Sequence, residues 1–419
     1  MKTWLLASVA TLGLMVASGA SAQDATDNMK KLQGMQSTGT SMDFRTVEQT
    51  GEYADQLKKN LENINLPDGF KIELYAVVPD ARHIAVGPQG VATFVGTRKQ
   101  NVWVVTDRDK NRVGDEVKEF APSIEFAIPN GVCFSKDGFL YIAEQNRVLV
   151  LPAAEFFYES PDVAVGVVVD QGELVPTSEE SFNHTARVCR IGPDDRLYIS
   201  LGQPYNVPPA EKLDLYNKEG IGGIISMNRD GSDRKVYATG VRNSVGMQFN
   251  PDDGKLWFTD NQVDGMGDDI PPGELNMASK AGENFGFPYY GGGDVRTEEF
   301  KSEEIPADVV MPQVEMAAHA ADLGMDFYGA DSFPAKYQGG IFSAQHGSWN
   351  RTEPVGARIM FTPLTEEGTA GETEVFADGW LTDSGEYLGR PVDVAVMKDG
   401  SMLVSDDLAG ALYRISYDK

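Results

Sequence analysis

One histidine and one arginine–asparagine pair carry most of the chemistry that this chain could perform. His184 stands in Phe182-Asn-His-Thr-Ala-Arg-Val, directly ahead of an apolar strand. A neutral imidazole there can take a proton from a hydroxyl; a loop histidine bonded to a neighbouring carbonyl would read the same. Arg242 and Asn243, in Gly240-Val-Arg-Asn-Ser-Val-Gly-Met, also precede a strand. A guanidinium beside a carboxamide suits a carbonyl oxygen that gains negative charge; a structural arginine paired with an acid is the alternative. Ala344-Gln-His-Gly-Ser-Trp-Asn-Arg351 gathers His346, a tryptophan, an asparagine and Arg351 in eight residues. That set suits a planar anion held by cations and an aromatic face. Arg98, after Phe94-Val-Gly-Thr, and Arg390, before Pro391-Val-Asp-Val, occupy matching places further along the chain. The acidic stretch from Asp260 to Asn276 offers hard oxygen donors suited to Ca²⁺. It lacks EF-hand spacing, and a turn-rich acidic loop without an ion remains open. None of the four histidines lies in a zinc-binding array.

These residues share a context. Each precedes or follows a copy of one phrase: an apolar strand, a turn built on Asp and Gly, and a second apolar strand. The phrase begins at His83, Gly131, Arg187, Val245 and Asp393, with a degenerate copy from Gly324 to Gln345. A hairpin that returns every ~50–80 residues marks a β-propeller, one copy per blade. Six copies predict an all-β fold, a six-bladed β-propeller over residues 65–419, its ring closed by a strand near Phe70–Val77. In such a ring the loops between blades point to one axis. Arg98, His184, Arg242, Asn243, His346 and Arg390 are therefore expected around a single funnel. Residues 151–182 insert a polar segment, and residues 261–320 read as an ordered loop over the funnel.

The first 22 residues have the form of a secretory signal: Lys2, an apolar core from Trp4 to Ala17, and Ala20-Ser-Ala22 as cleavage site. The core is short for a membrane span, so the mature chain is expected in the periplasm or medium. Residues 23–64 are polar and read as a disordered leader with a short helix within Thr46–Asn63. Removing the signal takes the net charge from -27 to -28, against nucleic-acid binding and against docking on anionic lipid. Cys133 and Cys189 sit at opposite strand parity relative to their turns, which favours two buried thiols over a disulfide. No Cys-x-x-Cys-His haem motif exists.

Taken in order, these phrases resemble the glucose/sorbosone dehydrogenase family, soluble propellers that use pyrroloquinoline quinone, and lean toward its sorbosone dehydrogenase-like branch. The resemblance is carried by His184 before Arg187-Val-Cys-Arg-Ile-Gly-Pro, by Arg242-Asn-Ser-Val-Gly-Met, by Leu256-Trp-Phe-Thr-Asp-Asn and Glu274-Leu-Asn, by Asn284-Phe-Gly-Phe-Pro, and by Gly389-Arg-Pro-Val-Asp-Val. It implies His184 as the base that deprotonates an anomeric hydroxyl, and Arg242 with Asn243 at the quinone carbonyl. It implies Ca²⁺ held by carbonyls near Gln262 and Val263, and quinone carboxylates met by His346, Arg390, and Arg351 or Arg98. Val392 stands where glucose enzymes carry a second arginine, and Asn183 where they carry an acid before the base. The implied function is oxidation of an aldose or aldehyde sugar, with electrons leaving to an external acceptor such as a periplasmic cytochrome c or a quinone. Two other readings stand beside it: a lactonase-type propeller hydrolase with a central metal, and a non-catalytic propeller that binds a glycan or protein.

Overall fold

The structure is a computed structural model that describes residues 35–37, 44–160 and 163–418. The signal segment and most of residues 23–43 lie outside those residues. Each repeated phrase forms the two innermost strands of one blade. Blade 1 begins with Ile84–Val86 and Ala92–Val95, blade 2 with Gly131–Phe134 and Leu140–Ala143, and blade 3 with Cys189–Ile191 and Leu197–Leu201. Blade 4 begins with Met247–Phe249 and Leu256–Asp260, blade 5 with Asp322–Phe327 and Ile341–Gln345, and blade 6 with Pro391–Val396 and Met402–Asp406. Six blade sheets result, antiparallel but for one short outer strand of blade 3, the six-bladed β-propeller that the repeats predict. Apolar side chains on both faces of each second strand pack against the neighbouring blades; Leu256, Trp257 and Phe258 are all fully buried.

Near the axis the inner strands approach too closely for side chains at every position. A Cβ on Gly246 of blade 4 would stand 2.1 Å from the carbonyl oxygen of Leu323, at the start of blade 5. One on Gly324 of blade 5 would meet Asp393 of blade 6 at 1.9 Å. Glycine is required there by contact, not by a turn.

The ring closes as the sequence suggests. Phe70–Val77 pairs antiparallel with Ala411–Tyr417, from Phe70 opposite Tyr417 to Val77 opposite Ala411, as the outer strand of blade 6. Phe70 anchors the seam edge-on to Phe333, Tyr337 and Phe376, with ring centroids 4.8, 5.4 and 5.0 Å away.

Three expectations are corrected. Residues 44–64 are not a disordered leader. Thr46–Val47 extends the blade 1 sheet, and the helix Glu52–Asn60 buries Ala54 and Leu57 in the aromatic cluster of Tyr328, Phe333 and Trp380. The short helix expected in Thr46–Asn63 is present; the polarity of the segment hid that two apolar positions three residues apart give it a face to bury. Cys133 and Cys189 form a disulfide, with Cα atoms 5.8 Å apart. Opposite parity misled because the two residues sit on adjacent blades stacked face to face; side chains that meet between two sheets must leave opposite faces of their own. Residues 261–320 are more than a loop over the funnel. They supply Gly273–Ala278 and Val314–Met316 to blade 4, and Glu283–Asn284 pairs in parallel with blade 3.

Candidate active site

Blade 4 sets the site. Asp260 ends its second strand, fully buried, and accepts the backbone N–H of Arg242 at 2.9 Å and of Asn243 at 2.7 Å. The Arg–Asn pair is thus fixed through its backbone before its side chains act. Asp406 ends the second strand of blade 6 and accepts the N–H of Arg390 at 2.9 Å. Glu144, just past the second strand of blade 2, accepts the N–H of Ala127 at 2.8 Å. One device, a buried carboxylate on the loop entering the inner strand, therefore repeats in three blades. Burial raises the pKa of Asp260 and of Glu274, which faces it across the strand pair, because two carboxylates so enclosed cannot both ionise cheaply.

His184 has a left-handed backbone, φ +51°, and its Nδ1 lies 2.5 Å from the carbonyl oxygen of Gln203. A carbonyl only accepts, so Nδ1 carries the proton and Nε2 keeps its lone pair. Burial, and then the Arg242 charge, lower the pKa of His184 to about 3. Gly202 lies between His184 and Asn243; a Cβ there would stand 2.7 Å from the His184 Cβ and 2.5 Å from the Asn243 Oδ1. The His184 and Asn243 side chains are side by side because that residue is glycine.

The Arg242 guanidinium is buried and held on three sides. Nε donates to the Asn206 carbonyl at 3.0 Å and Nη1 to the Asn261 carbonyl at 3.0 Å. Nη2 donates to Asn206 Oδ1 at 2.7 Å and to Asp264 Oδ2 at 3.0 Å. Of its five donors, one Nη1 hydrogen has no partner among the described residues. His184, Arg242, Asn243, Asn261, Gln262, Asp264, His319, Trp349 and Asn350 line one cavity of about 190 Å³.

Arg98, His346, Arg351 and Arg390 are not among the residues that line this cavity. Arg98 is exposed, and its charge acts on His184. His346 is half-buried, with Nε2 2.8 Å from Asp407 Oδ1, and Asp407 is also paired to Arg82. The backbone of His346 donates to Ala321, on the cavity wall, at 2.9 Å. Arg390 donates to the Ser348 carbonyl at 2.8 Å and lies 4.2 Å over the Tyr387 ring, with no acid paired to its side chain among the described residues. Arg351 is committed elsewhere: it donates to the carbonyl of Asp268 and to Asp269 Oδ1, pinning the 261–270 loop. His319 Nε2 lies 2.7 and 3.0 Å from the Gly267 and Ile270 carbonyls of the same loop. Sequence reading missed Asn206, Asp260, Asp264 and His319 as positioning residues. The Asp that ends Leu256-Trp-Phe-Thr-Asp260, matched by Asp406 at the end of Met402-Leu-Val-Ser-Asp, was the available signal for Asp260.

The Gln262 and Val263 carbonyls accept no hydrogen bond among the described residues, although Val263 is buried. Asn243 Oδ1 and Asn350 Oδ1 are likewise buried without partners. Unpaired buried oxygens are costly, and this set suits a hard cation.

The glucose/sorbosone dehydrogenase family model matches residues 173–348, and a TrAA12-like model matches residues 293–418. An uncharacterized protein of Borreliella burgdorferi is 31% identical over 367 residues, 85% of this chain and 91% of its own length. The chain belongs to the glucose/sorbosone dehydrogenase family. Within that family's reach, the aldose sugar dehydrogenase YliI of Escherichia coli is 28% identical over 234 residues, 52% of this chain and 56% of its own. The fold is shared with the PQQ domain of pyranose dehydrogenase from Coprinopsis cinerea, at TM-score 0.65 and 18% identity over 84% of this chain and 97% of that one. Family membership makes the chain a sugar oxidoreductase by class.

Proposed function

We propose that this protein is an exported quinoprotein dehydrogenase that oxidises an aldose or aldehyde sugar, with pyrroloquinoline quinone and Ca²⁺ as cofactors. The observation that carries this reading is the proton inventory of His184. Its Nδ1 is committed to Gln203, its Nε2 has no hydrogen-bond partner among the described residues, and His184 lines the same cavity as Arg242 and Asn243. A base for a hydroxyl and donors for a developing oxyanion then share one small space. When bound, the quinone would supply the hydride-accepting carbonyl. The residues present fit such a group. Among the described residues no acid is bonded to the side chains of Arg390 and Arg98, which leaves both cations available for carboxylates, and Trp349 offers an aromatic face at the rim. Gln262, Val263 and Asn243 would supply oxygens for the cation. His184 would take the hydroxyl proton on Nε2 while Arg242 and Asn243 stabilise charge opposite it.

The hydrolase reading is disfavoured by the same walls. Asp264 is the one carboxylate lining the cavity among the described residues, and Arg242 already holds it. The disulfide supports export, since such bonds persist in oxidising compartments. No helix among the described residues is long and apolar enough to cross a membrane. The test is a titration of the purified protein with quinone and Ca²⁺, followed in visible absorption, and then a panel of aldoses with a dye acceptor. A calcium-dependent spectral change and sugar-dependent dye reduction are expected. No spectral change would remove the quinone reading.

A further inference from the structure

A second cavity, of about 720 Å³, lies where the loop entering the strand Arg358–Thr362 meets the loop leaving the strand Glu374–Ala377, both of blade 5. Asn63 and Asn65 close a third side. None of its lining residues lines the cavity that holds His184. Its size falls within the ~300–1,000 Å³ of small-molecule sites.

A row of side chains across blade 5 fixes a cation in its wall. Arg358 stands opposite Gln345 in the sheet, and Gln345 opposite Asp322. Arg358 Nε donates to Gln345 Oε1 at 2.6 Å, and Gln345 Nε2 donates to Asp322 Oδ1 at 2.8 Å. A guanidinium only donates, so the amide beside it has one orientation. Gln345 and Asp322 are fully buried, so this support is held by packing. Nε is thereby spent, and neither Nη group of Arg358 has a hydrogen-bond partner among the described residues. Burial lowers the pKa of Arg358, as for a charge that its surroundings solvate poorly.

An acid lines the same cavity without pairing to this cation. Asp378 Oδ1 accepts Asn65 Nδ2 at 2.8 Å, and its charge reaches Arg358 only through space. Cation and carboxylate stand on two walls with room between them, and Thr382 and Ser384 add hydroxyl groups. A ligand that satisfies these walls carries one carboxylate for the Nη pair and hydroxyl donors for Asp378. A phosphate dianion would meet repulsion from Asp378 and Asp383, and a neutral sugar would leave the guanidinium without an acceptor.

We propose that this cavity is a second binding site, separate from the catalytic one, for a small polyhydroxy monocarboxylate. Its ligand chemistry is read from the walls alone. On the dehydrogenase reading above, that ligand is of the product's class. An aldose oxidised at its anomeric carbon gives a lactone, and water adds to the acyl carbon as the ring C–O bond breaks, leaving an aldonate.

The test is calorimetric titration of the full chain with gluconate. Binding is expected, weakened about 10–100-fold by Arg358→Gln, as for a lost charged hydrogen bond, and about 2–10-fold by Asp378→Asn. Asp378 lies outside the strands, so its variant serves should Arg358→Gln fail to fold. Arg390→Ala should bind gluconate as the wild type does. Sorbitol, which has the hydroxyls without the carboxylate, and inorganic phosphate should each bind about 10-fold more weakly or less. No binding of gluconate would overturn the site, as would alanine binding more tightly than gluconate. Loss of binding in Arg390→Ala with wild-type affinity in Arg358→Gln would put the acid in the central funnel and overturn it too. Arg358-dependent binding by a chain that, given quinone and Ca²⁺, oxidises no sugar would uphold the site and sink the dehydrogenase reading.

Discussion

His184 is held neutral at the expense of basicity. Burial and Arg242 bring its pKa to about 3, so the imidazole is ready to accept a proton at any ordinary pH but accepts it weakly. An anionic ligand in the cavity would offset the Arg242 and Arg98 charges and raise that value. The acid limb of kcat/KM should therefore lie below the ordinary imidazole value of ~6.5, and a limb at or above it would point to another base. His184→Gln keeps a polar side chain but removes the basic nitrogen. Turnover should fall by ~10²–10⁴-fold while quinone binding, read by absorption, survives. Arg390→Ala should do the reverse, weakening quinone binding by roughly 10–100-fold, as for a lost charged hydrogen bond, with turnover at saturating cofactor near wild type. Unchanged affinity would remove Arg390 from the cofactor site. His184, Arg242 and Asn243 were legible because base and donor types are scarce and stand at equivalent places in the repeat. The commitment of Arg351 to a loop was not legible. Nothing in His-Gly-Ser-Trp-Asn-Arg tells a ligand carboxylate from a backbone carbonyl 83 residues away.

The hairpins were the most legible elements, since each alternates, turns at Asp-Gly and alternates again over a dozen residues. Short outer strands were not. Glu283–Asn284 and Val314–Met316 are fixed by the sheet edges they join, and neither has a pattern long enough to read. Least visible was the buried carboxylate at the end of a second strand, which looks like one acid among 63. Its role makes a sharp prediction. Asp260→Ala would bury the N–H groups of Arg242 and Asn243 without acceptors, at about 1–3 kcal/mol each. Both stability and turnover should drop, and Asp260→Asn, which keeps one acceptor oxygen, should recover much of the stability. Equal denaturant midpoints for Asp260→Ala and wild type would show that Asp260 does not support the pair. Cys133 and Cys189 make a comparable case. The bond joins blades 2 and 3 across a separation of 56 residues. Replacing both with Ser should cost ~2–4 kcal/mol, checked by chemical denaturation.

Taken whole, the ring stores acids in its interior. Burial raises Asp322 and Asp393 to about 7 and Asp406 to about 6, against ~3.9 in an unfolded chain. A raised folded-state pKa contributes stability that is present in full below ~pH 4 and is lost as pH rises through 6–7. His184 works the other way: its lowered pKa contributes stability above ~6.5 that is lost as pH falls toward 3. Asp260 and Glu274 are raised in the same way, while His83 and His346 are lowered by burial like His184. With the carboxylates outweighing the imidazoles, the metal-free protein should melt higher at pH 5.5 than at pH 8. The high net negative charge gives the same sign, so Asp393→Asn is the discriminating arm. It should narrow the difference between the two pH values, and a profile parallel to wild type would exclude Asp393 as a source.

The seam in blade 6 also sets an order of events. Phe70–Val77 cannot find its partner until Ala411–Tyr417 exists, because every residue of that pairing is more than 300 positions away. Long-range contacts of this kind are slow to form. A chain emerging from the ribosome can therefore fold blades one by one yet not lock the circle, and until the last strand arrives the whole remains a thread with one open end. For a chain exported as proposed above, threaded through a membrane pore before it folds, that late latch is a delay written into the topology.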